Sequence, residues 1–167
     1  MASVRRRARA LGDEQVIDRL ERLVEEIAAL HSKLVLLIGA PGSGKTALLQ
    51  VLGKNRGATP LNIGSALGSR LAAIPQKQRP LQTNTILREL ADQHAVGDLL
   101  LLDNIELLFD RTLQLDPLDL LKRHAHARRV VAVWPGELRD GRLIYAEMGH
   151  PEHQDYGLEG LVPFAIQ

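Results

Sequence analysis

The stretch Gly39-Ala40-Pro41-Gly42-Ser43-Gly44-Lys45-Thr46 decides the fold of this chain. It satisfies the pattern G-x-x-x-x-G-K-[ST] and follows the apolar run Leu34–Ile38, which is typical of a buried strand. Glycines in such a loop let consecutive backbone N–H groups curl around nucleotide phosphates, and the next helix points its positive end at them. The motif predicts a strand, a phosphate-binding loop and a helix. We expect the residues of the loop and the next residue, Ala47, to contact the nucleotide.

The motif also assigns roles to two side chains. We expect Lys45 on the β- and γ-phosphates and the Thr46 hydroxyl on Mg²⁺. A second run, Leu99-Leu100-Leu101-Leu102-Asp103, is a buried strand that ends in an acid, which is the Walker B pattern. It predicts Asp103 as the acid on the metal side, so ATP and Mg²⁺ are the expected ligands.

The base that polarises the attacking water is harder to place. Many P-loop ATPases have a glutamate directly after the Walker B aspartate, but here that position is Asn104. Glu106 returns to the site only if a helical turn begins at once, and we predict it as the base. Glu137, beyond the strand 129–134, is a weaker candidate.

The place of a polar γ-phosphate sensor, at the end of the strand 129–134, holds Trp134. An indole coordinates phosphate poorly, so either the sensor is missing or Asn62 or Asn104 replaces it. For an arginine finger, Arg139 and Arg142 follow a strand end, whereas Arg128 and Arg129 precede a strand and are expected at the opposite rim. No finger is assigned.

A dinucleotide site is the competing interpretation, because Gly42–Ala47 also fits the loose pattern G-x-G-x-x-A. That fingerprint needs an acid about 20 residues further on to hold the ribose. The second predicted strand ends in Asn62-Ile63-Gly64-Ser65, without a carboxylate. This interpretation therefore fails.

Composition limits the other classes. The chain has 167 residues, a net charge of +1 and no cysteine, which excludes disulfides and cysteine–zinc sites. No apolar run approaches the ~18 residues of a membrane span, so we expect a cytoplasmic protein without membrane contact. The only basic patch is Arg5, Arg6, Arg7 and Arg9, through which any DNA contact would be non-specific and salt-sensitive.

Residues 1–12 are predicted to be a disordered basic tail. Asp13 then caps an amphipathic helix over 13–31, which carries a stripe of apolar residues at spacings of three and four. We expect this stripe to pack on the domain's own sheet, and a partner or self-association helix is the alternative. The stripe consists of Val16, Leu20, Leu23, Ile27 and Leu30.

Strands and helices alternate through the rest of the chain, which predicts one P-loop NTPase domain over 13–167. We expect an α/β three-layer sandwich with a mostly parallel sheet, of the additional-strand ATPase type, and no separate lid domain. Arg139-Asp140-Gly141-Arg142 predicts a hairpin. The segment 161–166 predicts a closing strand, which Pro163 assigns to the sheet edge. The other predicted elements are helices over 44–54, through 67–74, and over 83–94 and 118–125, and strands near 60–63 and over 129–134.

With these residues in place, the chain resembles the small P-loop proteins of the BrxF family, from type 3 BREX bacteriophage-exclusion systems. The resemblance covers about residues 33–166. It rests on GAPGSGKTALL, LLLLDNIELLF with Asp116-Pro117-Leu118, VVAVWPGE, and Arg142-Leu143-Ile144-Tyr145 leading to His150-Pro151-Glu152. It implies nucleotide binding, ATPase activity and a role in bacterial antiviral defence beside larger components.

The leading hypothesis is an ATP-binding and ATP-hydrolysing subunit of a defence assembly, whose nucleotide state controls self-association or contacts with partners. Since no complete set of catalytic groups is evident, a second copy of the chain or another defence protein would complete the site. The alternatives are a nucleotide-binding scaffold without turnover and a small-molecule kinase. Phosphate release without an added acceptor would favour the ATPase over the kinase.

Overall fold

The structure is a computed structural model that describes residues 2–145 and 154–166, with side chains from residue 14 onward. It contains five α-helices and eight strands in these ranges. The helices are α1 (Ala2–Glu26), α2 (Lys45–Arg56), α3 (Ile63–Ala72), α4 (Arg79–His94) and α5 (Pro117–Ala127). The strands are β1 (Leu34–Ile38), β2 (Leu61–Asn62), β3 (Leu99–Asp103), β4 (Arg129–Val133), β5 (Glu137–Arg139), β6 (Arg142–Tyr145), β7 (Gln154–Tyr156) and β8 (Val162–Ala165).

Five strands form one sheet in the order β2-β3-β4-β1-β8, and every pairing in it is parallel. Strand β4 lies between β1, which precedes the phosphate loop, and β3, which ends at Asp103. This inserted strand is the feature that the additional-strand type predicts. Because parallel strands place their carboxyl ends at one edge, the loop, Asp103 and the end of β4 meet there.

Hydrophobic layers cover both faces of this sheet. Along β1, Leu34 and Leu36 enter a layer formed with α3, α4 and α5, while Val35 and Leu37 enter a layer formed with α1 and α2. Burial on both faces explains why β1 and β3 are continuous apolar runs rather than alternating ones. Each described α-helix contributes buried residues to one of these two layers. Within the described ranges, no helix therefore forms a lid domain separate from the sheet.

The N-terminal helix differs from the prediction in its bounds. Helix α1 begins at Ala2, not at Asp13, and ends at Glu26 with a 3-10 turn over Ile27–Ala29. The described backbone from Ala2 onward is thus helical over the segment that was predicted to be a basic tail. The reason is local, because residues 2–11 contain no proline or glycine and are rich in alanine and arginine, which favour helix.

Helix α4 begins at Arg79, ahead of the predicted start at residue 83. Pro80 lies in its first turn, where a missing N–H leaves no hydrogen bond unmade. Pro80 therefore lies at the start of a helix rather than ahead of it.

The hairpin is confirmed and belongs to a second, three-stranded antiparallel sheet in the order β5-β6-β7. Asp140 and Gly141 both have positive φ, at 52° and 74°, as a two-residue hairpin turn requires. Strand β8 pairs with β1 at the edge of the main sheet, so the edge position of Pro163 is also confirmed. The motif residues His150-Pro151-Glu152 lie outside the described residues.

Candidate functional site

The loop between β1 and α2 has a backbone that requires glycine. Gly42 and Gly44 have φ of 79° and 96°, in the left-handed region that side chains disfavour. At Gly39, a Cβ would collide with the Ser43 side chain and lie 2.9 Å from the carbonyl oxygen of Ile166. These positions, together with the strand order, decide the fold. It is that of a P-loop NTPase.

Lys45 is the first residue of α2, and its ammonium group bridges two strand ends. Its Nζ donates to the carbonyl oxygen of Gly39 at 2.8 Å and to that of Trp134 at 3.1 Å. Burial lowers the pKa of Lys45, and the carboxylates of Glu106 and, next, Asp103 oppose that shift. The lysine is thus anchored over the loop with two acids in its field.

Asp103 ends β3 with a carboxylate that is only 7% exposed. Its Oδ1 accepts the N–H of Asn104 at 2.8 Å, and within the described ranges it forms no ion pair. A buried carboxylate without a paired cation is costly, and carboxylate and hydroxyl oxygens are ligands that Mg²⁺ accepts. Asp103 and the exposed Thr46 line the same cleft of about 620 Å³, so these residues fit the expected metal.

Glu106 meets the condition set by the sequence. Asn104 adopts a left-handed conformation with φ of 51°, and a 3-10 helix begins immediately, at Ile105–Phe109. This turn brings the exposed Glu106 carboxylate into the field of the Lys45 ammonium, where its influence exceeds that of Asp103. Glu137, in contrast, forms an ion pair with Arg139 on the small sheet.

A polar atom inside the loop lacks a partner. The Oγ of Ser43 is buried and makes no hydrogen bond to any described residue. A buried hydroxyl normally has a partner, because leaving it unpaired costs free energy. A phosphate oxygen in the loop is an acceptor of the kind that this hydroxyl lacks.

The sequence did not predict what Trp134 contributes. Its backbone carbonyl accepts from Lys45, while its fully buried indole donates through Nε1 to the carbonyl oxygen of Ile144 at 3.2 Å. The indole also packs edge-on against Phe109 and Tyr156, with ring centroids 5.5 Å and 5.8 Å away. Every residue type has a backbone carbonyl, so the sequence does not indicate that this one accepts a hydrogen bond from Lys45. Only the position of Trp134 at the end of a central strand could have suggested it.

The two proposed sensor residues lie in the cleft that contains Thr46 and Asp103, which we call the metal-side cleft. Asn62 and Asn104 both line it with Thr46 and Asp103. The side chain of Asn62 already accepts the N–H of Ser65 at 3.1 Å, which caps α3. Its amide oxygen is thus occupied in a structural hydrogen bond. Asn104 is exposed, and its side chain makes no hydrogen bond to the part of the chain that the structure describes.

The arginines considered as fingers are held in ion pairs within the chain. Arg142 pairs with Asp155 across the small sheet, and Arg139 pairs with Glu137. At the opposite rim, Arg129 pairs with Asp98 at 2.7 Å, directly before β3, as its place before a strand predicted. Arg139 and Arg142 therefore need to exchange partners before either reaches a phosphate. The side chains of Arg5, Arg6, Arg7 and Arg9 lie outside those that the structure describes.

Comparisons with known proteins gave structural matches only. No protein-family model and no curated protein sequence matches the chain. A crystal structure of a DNA replication initiation factor matches with a TM-score of 0.48 and 19% identity over 90% of this chain. The structure of AMPPCP-bound DnaA from Aquifex aeolicus matches with a TM-score of 0.45 and 18% identity over 88% of this chain. The match covers 44% of the length of each of these proteins.

Among the described residues, no helix is both long enough and apolar enough to cross a bilayer.

Proposed function

We propose that this chain binds ATP with Mg²⁺ at the loop Gly39–Thr46 and hydrolyses it as a subunit of a bacterial defence assembly. One observation carries the nucleotide part. The left-handed glycines and the start of α2 form a phosphate cradle, and Lys45 is held at it, in the electric field of the buried Asp103 carboxylate.

The groups at the loop of this chain have the following roles in the reaction. On binding, the Lys45 ammonium exchanges the carbonyl oxygens of Gly39 and Trp134 for phosphate oxygens, and the loop N–H groups bind the remaining charge. Water attacks the γ-phosphorus, the bond to the β–γ bridging oxygen breaks, and Glu106 accepts the proton of the water. Mg²⁺ held by Thr46 and Asp103 would neutralise charge on the phosphate oxygens.

The test is inorganic phosphate release from Mg·ATP over a range of protein concentrations, with light scattering on the same samples. We expect Lys45→Ala to lower release at least about 100-fold, because it removes a cation that faces the charge of the transition state. Lys77→Ala is the matched control, since this lysine is exposed on the 3-10 turn Gln76–Gln78 and does not line the cleft that contains Asp103. A rate per subunit that rises with concentration would show that a second copy completes the site.

Two outcomes would contradict the proposal. Release that persists in Lys45→Ala would place the activity elsewhere or in a contaminant. Retained nucleotide binding with no release at any concentration would exclude autonomous hydrolysis and favour a nucleotide-gated scaffold.

The defence role rests on the sequence resemblance and needs its own experiment. In a host that carries the complete system, we expect the Lys45→Ala chain to lose protection, measured as the efficiency of plating of phage. Lys77→Ala is again the control. Full protection with the Lys45→Ala chain at normal abundance would show that nucleotide binding is not needed for defence.

A further inference from the structure

The small antiparallel sheet packs against the nucleotide edge of the main sheet through a cluster of four aromatic rings. Trp134 directly follows β4, Phe109 ends the 3-10 helix, and Tyr145 and Tyr156 belong to β6 and β7. We call these four side chains the aromatic cluster. Because Phe109 and Glu106 belong to the same short helix, the cluster lies about one turn from the proposed base.

The Glu106 carboxylate is not held by its own contacts. Within the described ranges it makes no hydrogen bond and no ion pair, and it interacts with Lys45 only through its field. Its place is therefore set by the backbone of the 3-10 helix. Such helices have poor hydrogen-bond geometry and occur in short pieces, so the position of this one depends on what holds its two ends.

The first end is held by the main sheet and α3. The backbone N–H of Asn104 donates to the Asp103 carboxylate at 2.8 Å. The carbonyl oxygen of Asn104 accepts the N–H of Gly64, in the first turn of α3, at 3.0 Å. This end is thus fixed beside the metal-side cleft.

The second end is held by the small sheet. The Phe109 ring is only 5% exposed and stacks on Tyr145, with centroids 3.8 Å apart and ring planes inclined by 26°. Its other aromatic neighbour is Trp134, in an edge-on contact with centroids 5.5 Å apart. The face of the Tyr145 ring is therefore a surface on which the end of the 3-10 helix rests.

Tyr145 is itself fixed relative to the loop lysine. The Trp134 indole donates to the carbonyl oxygen of Ile144, directly before Tyr145, at 3.2 Å. The Trp134 carbonyl oxygen accepts from the Lys45 ammonium at 3.1 Å. One residue thus connects the lysine to the strand that supports the helix of Glu106.

We propose that Tyr145 is a positioning residue for hydrolysis, which acts through Phe109 to hold the 3-10 helix with the Glu106 carboxylate at the attacking water. This inference rests on the proposed function, in which Glu106 is the base. A displacement of about 1 Å in a reacting group can lower a rate by about 100-fold. The phosphate loop is formed by β1 and α2, so Tyr145 affects the rate of hydrolysis and not ATP affinity.

The first test separates rate from binding in three variants. Single-turnover phosphate release from Mg·ATP gives the rate, and calorimetry with AMPPCP gives the affinity. We expect Tyr145→Leu to lower the rate about tenfold or more and to leave the affinity within about twofold, whereas Tyr145→Phe, which keeps the ring, retains the rate within about twofold. Tyr156→Leu is the matched control, because this ring of the small sheet packs on Trp134.

The second test asks whether Tyr145 acts through Glu106. Residues that act as a unit have non-additive effects on a rate. We therefore expect Tyr145→Leu to lower the rate by less than about twofold when Glu106→Gln is already present. A general loosening of the fold would lower the rate by the same factor in both backgrounds.

The outcomes distinguish this inference from the proposed function. An unchanged rate in Tyr145→Leu, an equal loss in Tyr156→Leu, or a full additional loss in the Glu106→Gln background would overturn the role of Tyr145 while leaving the ATPase intact. No phosphate release from the unaltered chain would overturn the proposed function and this inference with it. If Tyr145→Leu does not fold, Tyr145→Met takes its place with the same expected results.

Discussion

At the scale of single residues, the backbone of Asn104 determines what Glu106 does. Asparagine tolerates the left-handed conformation better than most residues, because its short polar side chain can hydrogen-bond locally. The backbone N–H of Asn104 donates to the Asp103 carboxylate, and the chain turns at once into the 3-10 helix. Because asparagine occupies the position where many P-loop ATPases have the catalytic glutamate, the carboxylate comes instead from the residue two positions further along the chain. The sequence predicted Glu106 only conditionally, since no pattern specifies the sign of one φ angle.

Replacing the Glu106 carboxylate tests its role. We predict that Glu106→Gln lowers the rate of phosphate release by about 100-fold or more, because the amide accepts no proton from water. ATP affinity should change little, since the side chain is exposed and the loop is untouched. Single-turnover kinetics with a parallel binding titration measure both. Glu137→Gln is the control, and a larger loss there than in Glu106→Gln would reassign the base to the small sheet.

At the scale of elements, the small sheet is tied to the nucleotide edge by aromatic side chains. Four of the chain's five aromatic residues meet there, although they are far apart in sequence. Phe109 ends the 3-10 helix that carries Glu106 and stacks on Tyr145, with centroids 3.8 Å apart. Gly136 lies against the carbonyl of Ile144, where a Cβ would not fit. The Asp-Gly turn predicted the hairpin, but nothing periodic marks these distant contacts.

Tyr156 makes this attachment sensitive to pH. Burial, with a smaller effect from the Asp116 carboxylate, raises its pKa to about 12 from 10.0. Between these two pKa values the folded chain therefore keeps the phenol proton, whereas the unfolded chain loses it. The stability that this difference contributes is fully present below the unfolded pKa and falls as the pH rises toward about 12. We predict that Tm declines by a few degrees more between about pH 9 and pH 11 in the unaltered chain than in Tyr156→Phe. Parallel Tm curves for the two proteins would show that Tyr156 titrates normally.

At the scale of the whole molecule, the sheet was predictable because its strands are buried on both faces. Runs such as Leu34–Ile38 and Leu99–Asp103 are identifiable without any structure, and the two motifs at their ends fix them at one edge. The helix that covers one face was predictable in its apolar spacing but not in its ends. Of the predicted stripe, Leu20 and Ile27 are fully buried against the sheet, which confirms packing within the domain. Leu30 lies beyond the helix and is 45% exposed.

The difference in burial between Leu20 and Leu30 leads to a prediction about stability. Leu20 has no exposed surface and packs in the layer shared with α2, so Leu20→Ala should leave a cavity and lower the free energy of unfolding by about 2–5 kcal/mol. Leu30→Ala is the matched control and should cost less than about 1 kcal/mol, because that side chain is largely in water already. Urea unfolding, followed by circular dichroism with the slope m compared between variants, measures both changes. Equal stability of Leu20→Ala and the unaltered chain would mean that α1 is not an integral layer of the domain in solution. It would then favour the alternative that the same spacing left open, in which the apolar stripe of α1 binds a partner or a second copy of the chain.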